Sequence, residues 1–226
     1  MIAKVASKIA RLSTSALLPY PYQDHVLKGL IYIHIPKCGG NSIIDAIGHH
    51  RTHHIHAEYY HYVRANKRRF RRCHKFTVVR NPVDRAHSLY NYMKKGGNGT
   101  EHDRTIMENF FKGSESFEEF LMERLTPEWL ASWVLLRPQA AFIYDQADTL
   151  MVDSVLRLES INEDFSRMLE ETGKNARPLP HLNTSGSQRE EIKVTPEAME
   201  RLLSYYRRDF TLLYPDFDPA SRVKAS

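Results

Sequence analysis

The chain has 226 residues, a formal net charge of +5 and 42% apolar residues, with neither an internal repeat nor a low-complexity tract; these values suit a single α/β enzyme domain rather than a disordered chain. Its two cysteines, Cys38 and Cys73, form neither a disulfide framework nor a metal motif. No apolar run approaches the ~20 residues of a membrane-spanning helix, and the modest positive charge admits an anionic partner without requiring nucleic acid.

Residues 1–28 read as an N-terminal extension or first helix. Lys4, Lys8 and Arg11 are spread among apolar residues with no acid before Asp24, which predicts a helix over 3–13 packed on the domain. An amphipathic surface helix or a transit-like segment would carry the same pattern. The apolar run Leu30 to Ile35 predicts a buried strand. It stops at Pro36, passes Lys37, Cys38, Gly39 and Gly40, and opens a helix over 41–49 with Asn41 or Ser42 as its cap. Strand, glycine turn and helix is the context in which backbone N–H groups hold a phosphate, and the glycines would let the backbone approach an anion closely.

A second strand is predicted over 75–80, ending at Arg80. Pro82 opens a helix over 83–94, with Ser88 about two turns beyond Arg80. A polar loop at 96–99 precedes helices over 115–125 and 127–137, the second started by Thr126-Pro127-Glu128. Residues 141–144 and 155–158 read as short strands. Ser160-Ile161-Asn162-Glu163 reads as a capping box for a helix ending near Gly173, and Thr195-Pro196-Glu197 opens a last helix running to about Leu213. Strands alternating with helices predict a parallel sheet flanked by helices in one domain, 1–226. Ligands bind such sheets beyond the C-terminal strand ends, where the turns at Lys37 and Arg80 both fall.

The first turn is not the nucleoside-triphosphate loop, because Lys37 precedes the glycines and no Walker-type magnesium site follows. Pro36 to Ser42, read as Pro-Lys-x-Gly-Gly-x-Ser, instead resembles the 5′-phosphosulfate loop of sulfotransferases. These enzymes use 3′-phosphoadenosine 5′-phosphosulfate (PAPS) and release 3′-phosphoadenosine 5′-phosphate. Arg80 with Ser88 resembles the family's 3′-phosphate motif: a guanidinium grips phosphate oxygens bidentately and a hydroxyl adds a third bond. The resemblance covers roughly Leu30 to Asp216. It is closest to the Golgi-type carbohydrate sulfotransferases, including the heparan sulfate 2-O-sulfotransferase group, through His34 to Gly40. Leu136-Arg137-Pro138-Gln139, Val155 to Glu159 with Asp164-Phe165, and Pro180-His181-Leu182-Asn183 fit as well. It implies a P-loop-like sulfotransferase fold and cofactor contacts from Lys37, Cys38, Gly39, Gly40, Asn41, Ser42, Arg80 and Ser88. It also implies that His181 and Asn183 belong to a loop closing over the cofactor.

Sulfuryl transfer to a hydroxyl needs a cation on the leaving-group side and a base for the acceptor proton. Lys37 suits the first role, since a compact ammonium can follow developing charge. For the base, His54 and His56 lie two apart, so on an extended segment both project to one side. They resemble the His-x-His pair of the heparan sulfate 2-O group, and histidine titrates near neutrality. Glu58 is the rival base. Cys38 would be acidified at a helix N-terminus, but that loop position varies in the family and the chemistry needs no covalent intermediate. His53, His54, His56 and His61 lack the carboxylate or thiolate companions of a metal site, so no metal is expected. Lys67 to Arg72 reads as a solvated helix face. The expected protein is a cytoplasmic, PAPS-dependent O-sulfotransferase, with peripheral membrane association through the basic N-terminus as a variant. Its acceptor is a hydroxyl on a glycan, glycolipid or small glycoside, and nucleic acid is not an expected partner. The alternatives are a nucleotide-dependent phosphotransferase and a basic nucleic-acid-binding module.

Overall fold

The computed structural model describes residues 29–48, 56–97, 99, 101–106, 108, 114–179 and 192–224. The elements in chain order are β1 (Leu30–Ile33), α1 (Gly40–Ala46), α2 (Tyr59–Ala65), α3 (Lys67–Arg72), β2 (His74–Val79), α4 (Pro82–Lys94) and α5 (Glu101–Ile106). They continue with α6 (Phe117–Glu119), a π-helical turn (Phe120–Arg124), α7 (Pro127–Ser132), α8 (Ala140–Ile143) and β3 (Ser154–Arg157). Last come α9 (Ile161–Thr172), α10 (Pro196–Tyr205) and α11 (Arg207–Leu213). Described residues within Met1–Val79 and Ala141–Thr184 form one compact unit, and those within Arg80–Ala140 and Ser185–Ser226 form another.

The first unit holds a parallel three-stranded sheet in the order β1-β2-β3. β2 is central and buried on both faces except at its first residue, as the β-branched and aromatic run Phe-Thr-Val-Val requires of a parallel strand covered on both sides. Register is reinforced by the hydroxyl of Thr77, which donates to the Ile33 carbonyl at 2.7 Å. Phe76 stacks on Tyr32 at 5.1 Å and meets Phe165 of α9 at 6.3 Å. α9 ends where predicted, with Gly173 in the left-handed region at φ 61°.

In the second unit, α4 starts as the sequence dictates. Asn81 caps it by accepting from the Val83 N–H at 3.0 Å, and Pro82 fills the first position, where no N–H is needed. Val83, Ala86, Tyr90 and Met93 form its buried stripe. They join a core with Phe120, Leu121, Leu125, Leu136, Leu202 and Tyr206.

Four sequence expectations are corrected. Residues 141–144 do not form a strand: Ala140–Ile143 is a single helical turn. Ser160 makes no capping box; its hydroxyl donates to Asp164 at 2.8 Å, and the capping box lies instead at Ser116 and Glu119. The helix from Pro127 stops at Ser132. The final helix breaks at Tyr206, whose buried hydroxyl donates to the Leu136 carbonyl at 3.0 Å. The predicted helix over 3–13 lies outside the described residues. Among the described residues, no helix is long and apolar enough to cross a membrane.

Candidate active site

The turn after β1 carries the densest set of candidates. The predicted strand ends at Ile33 rather than Ile35; His34 and Ile35 follow it, both buried, and Pro36 turns the chain. Lys37 then adopts φ 67°. That left-handed conformation costs a side-chain-bearing residue roughly 1–2 kcal/mol. Gly39, at φ 75°, stands at the N-cap of α1 with no side-chain cap. A Cβ there would also lie 2.6 Å from Cδ1 of Leu158, and a Cβ on Gly40 would fall inside the imidazole of His34. Packing against His34 therefore requires glycine at 40, and the left-handed backbone favours it at 39, apart from any anion.

The expectation that Asn41 or Ser42 caps the helix is corrected. The left-handed Gly39 ends the turn, so Gly40 is already helical and both residues lie within the first turn of α1. Asn41 is exposed there and Ser42 partly exposed. The Cys38 side chain points inward: it is fully buried and its thiol donates to the Pro36 carbonyl at 3.6 Å. Only its backbone N–H is in keeping with the assigned cofactor contact.

His56 packs its ring on that of His34, with centroids 4.3 Å apart, and its Nδ1 lies 3.1 Å from the His34 carbonyl oxygen. A carbonyl oxygen only accepts, so Nδ1 carries the proton, and in the neutral ring Nε2 holds the lone pair. Glu58, buried, lies 3.2 Å from Nε2 of His61 through its Oε2. His54, His181 and Asn183 lie outside the described residues.

In the second unit, Arg80 follows directly on Val79, the last residue of β2. Its backbone is held by one side chain. The Arg80 N–H donates to Oε1 of Gln139 at 2.9 Å, and Nε2 of Gln139 donates to the Arg80 carbonyl at 2.8 Å. Gln139 is fully buried, and its own N–H and that of Ala140 donate to the two carboxylate oxygens of Asp209, each at 2.8 Å. Burial pushes the Asp209 carboxyl up from its ordinary range, opposed by the Arg85 guanidinium and by these N–H groups. Ser88 is partly exposed on α4.

The structure thus gathers His34, Gly40 and His56 at the first turn and seats Arg80 on Gln139. Sequence reasoning gave no role to His34, Gln139 or Asp209. Each carried a signal: His34 is a polar residue within the apolar run Leu30 to Ile35, Gln139 closes the Leu-Arg-Pro-Gln run, and Asp209 interrupts the apolar stripe of Tyr206, Phe210 and Leu213. Among the described residues no three His, Cys, Asp or Glu side chains gather as a metal centre.

A model of the group described as "Sulfotransferase family" matches residues 27–215 of the chain. No curated protein and no solved structure matches it.

Proposed function

The chain belongs to the sulfotransferase family, and on that premise we propose that it transfers a sulfuryl group from PAPS to a carbohydrate hydroxyl. The observation that carries the reading is the left-handed Lys37 at φ 67°. Glycine would be the relaxed residue at that point. A lysine held there at a backbone cost suits a position fixed by its charge. Each unit also carries donors that suit a phosphate: ammonium and hydroxyl at Lys37 and Ser42 in the first, guanidinium and hydroxyl at Arg80 and Ser88 in the second.

When bound, PAPS supplies a sulfuryl group activated by a phosphate leaving group. Lys37, Gly39, Gly40, Asn41, Ser42 and the backbone N–H of Cys38 would hold its 5′ end. Arg80 and Ser88 would hold the 3′-phosphate, and His181 and Asn183 would add to the cofactor contacts. Lys37 would neutralise charge on the leaving phosphate. His56 would take the acceptor's hydroxyl proton at Nε2, while its Nδ1–H, bonded to the His34 carbonyl, keeps the ring oriented and supports the imidazolium that forms. His54 and Glu58 stand as the other bases. The buried thiols Cys38 and Cys73 suit a reducing compartment, and we place the enzyme in the cytoplasm, with an acceptor of the glycan, glycolipid or glycoside class.

A thermal-shift comparison tests the cofactor. At ~100-fold excess over Kd, adenosine 3′,5′-bisphosphate should raise Tm by about 5–10 °C. ATP and AMP should raise it much less, and Arg80→Ala should erase the difference. Equal responses to all three nucleotides would remove the assignment.

A further inference from the structure

We propose that Gln139 is a positioning residue for Arg80, itself held in place by Asp209, so that the three set the affinity of the site for a 3′-phosphate. The proposal rests on the reading of Arg80 as the 3′-phosphate ligand.

β2 ends at Val79, so the N–H and C=O of Arg80 fall beyond the strand and its ladder. A primary amide carries a donor and an acceptor side by side, and Gln139 uses both, at 2.8 and 2.9 Å, on the two backbone groups of this one residue. It acts as a single added rung at the strand end. Glutamate has no donor for the Arg80 carbonyl, and asparagine is one methylene too short to keep both bonds from the same backbone position.

The backbone from which Gln139 reaches is itself tied at four points. The Arg85 guanidinium donates to the Leu135 carbonyl at 3.1 Å, and the Tyr206 hydroxyl donates to the Leu136 carbonyl at 3.0 Å. Asp209 accepts from the Gln139 and Ala140 N–H groups. Arg85, Gln139, Tyr206 and Asp209 are all buried, so these bonds form away from competing water. The Arg80 backbone is therefore fixed before any ligand arrives, and its guanidinium works from a set origin. Such preorganisation lowers the ordering cost that binding would otherwise meet. A glutamine that merely satisfied the core would leave nucleotide selectivity untouched.

The test is calorimetric titration of the full chain with adenosine 3′,5′-bisphosphate and with adenosine 5′-monophosphate. In the wild type the bisphosphate should bind more tightly. Gln139→Asn should weaken the bisphosphate by ~10–100-fold and leave the monophosphate unchanged. In an Arg80→Ala background the same change should have no further effect. A parallel loss for both ligands, or retained selectivity in Gln139→Asn, would overturn the positioning role while leaving the reading of Arg80 intact. A wild type that does not distinguish the two nucleotides would overturn that reading and the positioning role with it. A second measurement needs no variant. The Arg80 amide proton of the wild type, donated to a buried oxygen, should exchange at least ~100-fold more slowly than an exposed amide. The bisphosphate, and not the monophosphate, should slow it further. Exchange at the exposed rate, or equal slowing by both nucleotides, would overturn the proposal.

Discussion

The imidazole of His34 fills the space from which a side chain at Gly40 would grow, so the first residue of α1 is set by the residue that follows β1. In an ordinary helix, replacing glycine by alanine gains about 1 kcal/mol. Here the collision dominates: Gly40→Ala should destabilise the fold by about 1–3 kcal/mol, the range for overfilled interiors. Urea unfolding would measure it, and in a His34→Ala background the penalty should vanish. A Gly40→Ala protein more stable than the wild type would show that the ring yields freely.

Lys37 separates backbone cost from chemistry. At φ 67° glycine is relaxed and alanine is not, so Lys37→Gly should be more stable than Lys37→Ala by about 0.5–1 kcal/mol. Both lose the ammonium, and both should lose ~100-fold or more in kcat while still binding adenosine 3′,5′-bisphosphate. Denaturant midpoints and single-turnover assays give the two readouts. Full activity in Lys37→Gly would remove the leaving-group role.

The strands and the main helix starts were legible in the sequence because their causes are local. Leu30 to Ile33 and Phe76 to Val79 are apolar, partly β-branched runs closed by breakers, and Asn81-Pro82 and Thr195-Pro196 are starts whose capping groups sit within three residues. What was not legible depends on partners far along the chain. The Ala-Phe-Ile-Tyr run at 141–144 is equally compatible with strand and helix by pattern. The helical turn there begins at Ala140, whose N–H is taken by Asp209, 69 residues away. Ser160 fails as a cap because Asp164 competes for its hydroxyl. The site divides in the same way. Lys37, Gly39, Gly40 and Arg80 stand in short motifs. The roles of His34, Gln139 and Asp209 arise only when His56 folds back over 22 residues and Arg80 and Asp209 close on Gln139 over 59 and 70.

Acid sensitivity should come in part from His74, at the start of β2. Its Nε2 lies 2.9 Å from the Ser154 hydroxyl and its Nδ1 3.8 Å from Asp153. Burial lowers its pKa from the ordinary 6.5; Lys75 and Lys174 add to that, and Asp153 and Glu171 oppose it. The unfolded chain therefore binds the proton more readily than the folded one. Stability contributed by the neutral ring is complete above the unfolded value, near 6.5, and is lost as pH falls through the folded value. His74→Gln should flatten the fall in unfolding free energy below pH 6.5, measured by urea titration at several pH values. An unchanged slope would show that other groups carry the acid loss.

The base assignment turns on which His56 nitrogen is occupied. The His34 carbonyl takes the Nδ1 proton at 3.1 Å, so replacement by asparagine, whose amide nitrogen can stand in for Nδ1, should keep that bond and delete the Nε2 lone pair. His56→Asn should therefore fold normally, bind adenosine 3′,5′-bisphosphate as the wild type does, and lose ~10²–10⁴-fold in the transfer step. Glu58→Gln, which keeps the size and hydrogen-bonding reach of the buried side chain beside His61, should lose far less. Rapid-quench single turnovers would separate transfer from binding. If Glu58→Gln is the variant that stops transfer while His56→Asn turns over normally, the proton goes to the carboxylate and the His34–His56 contact is structural.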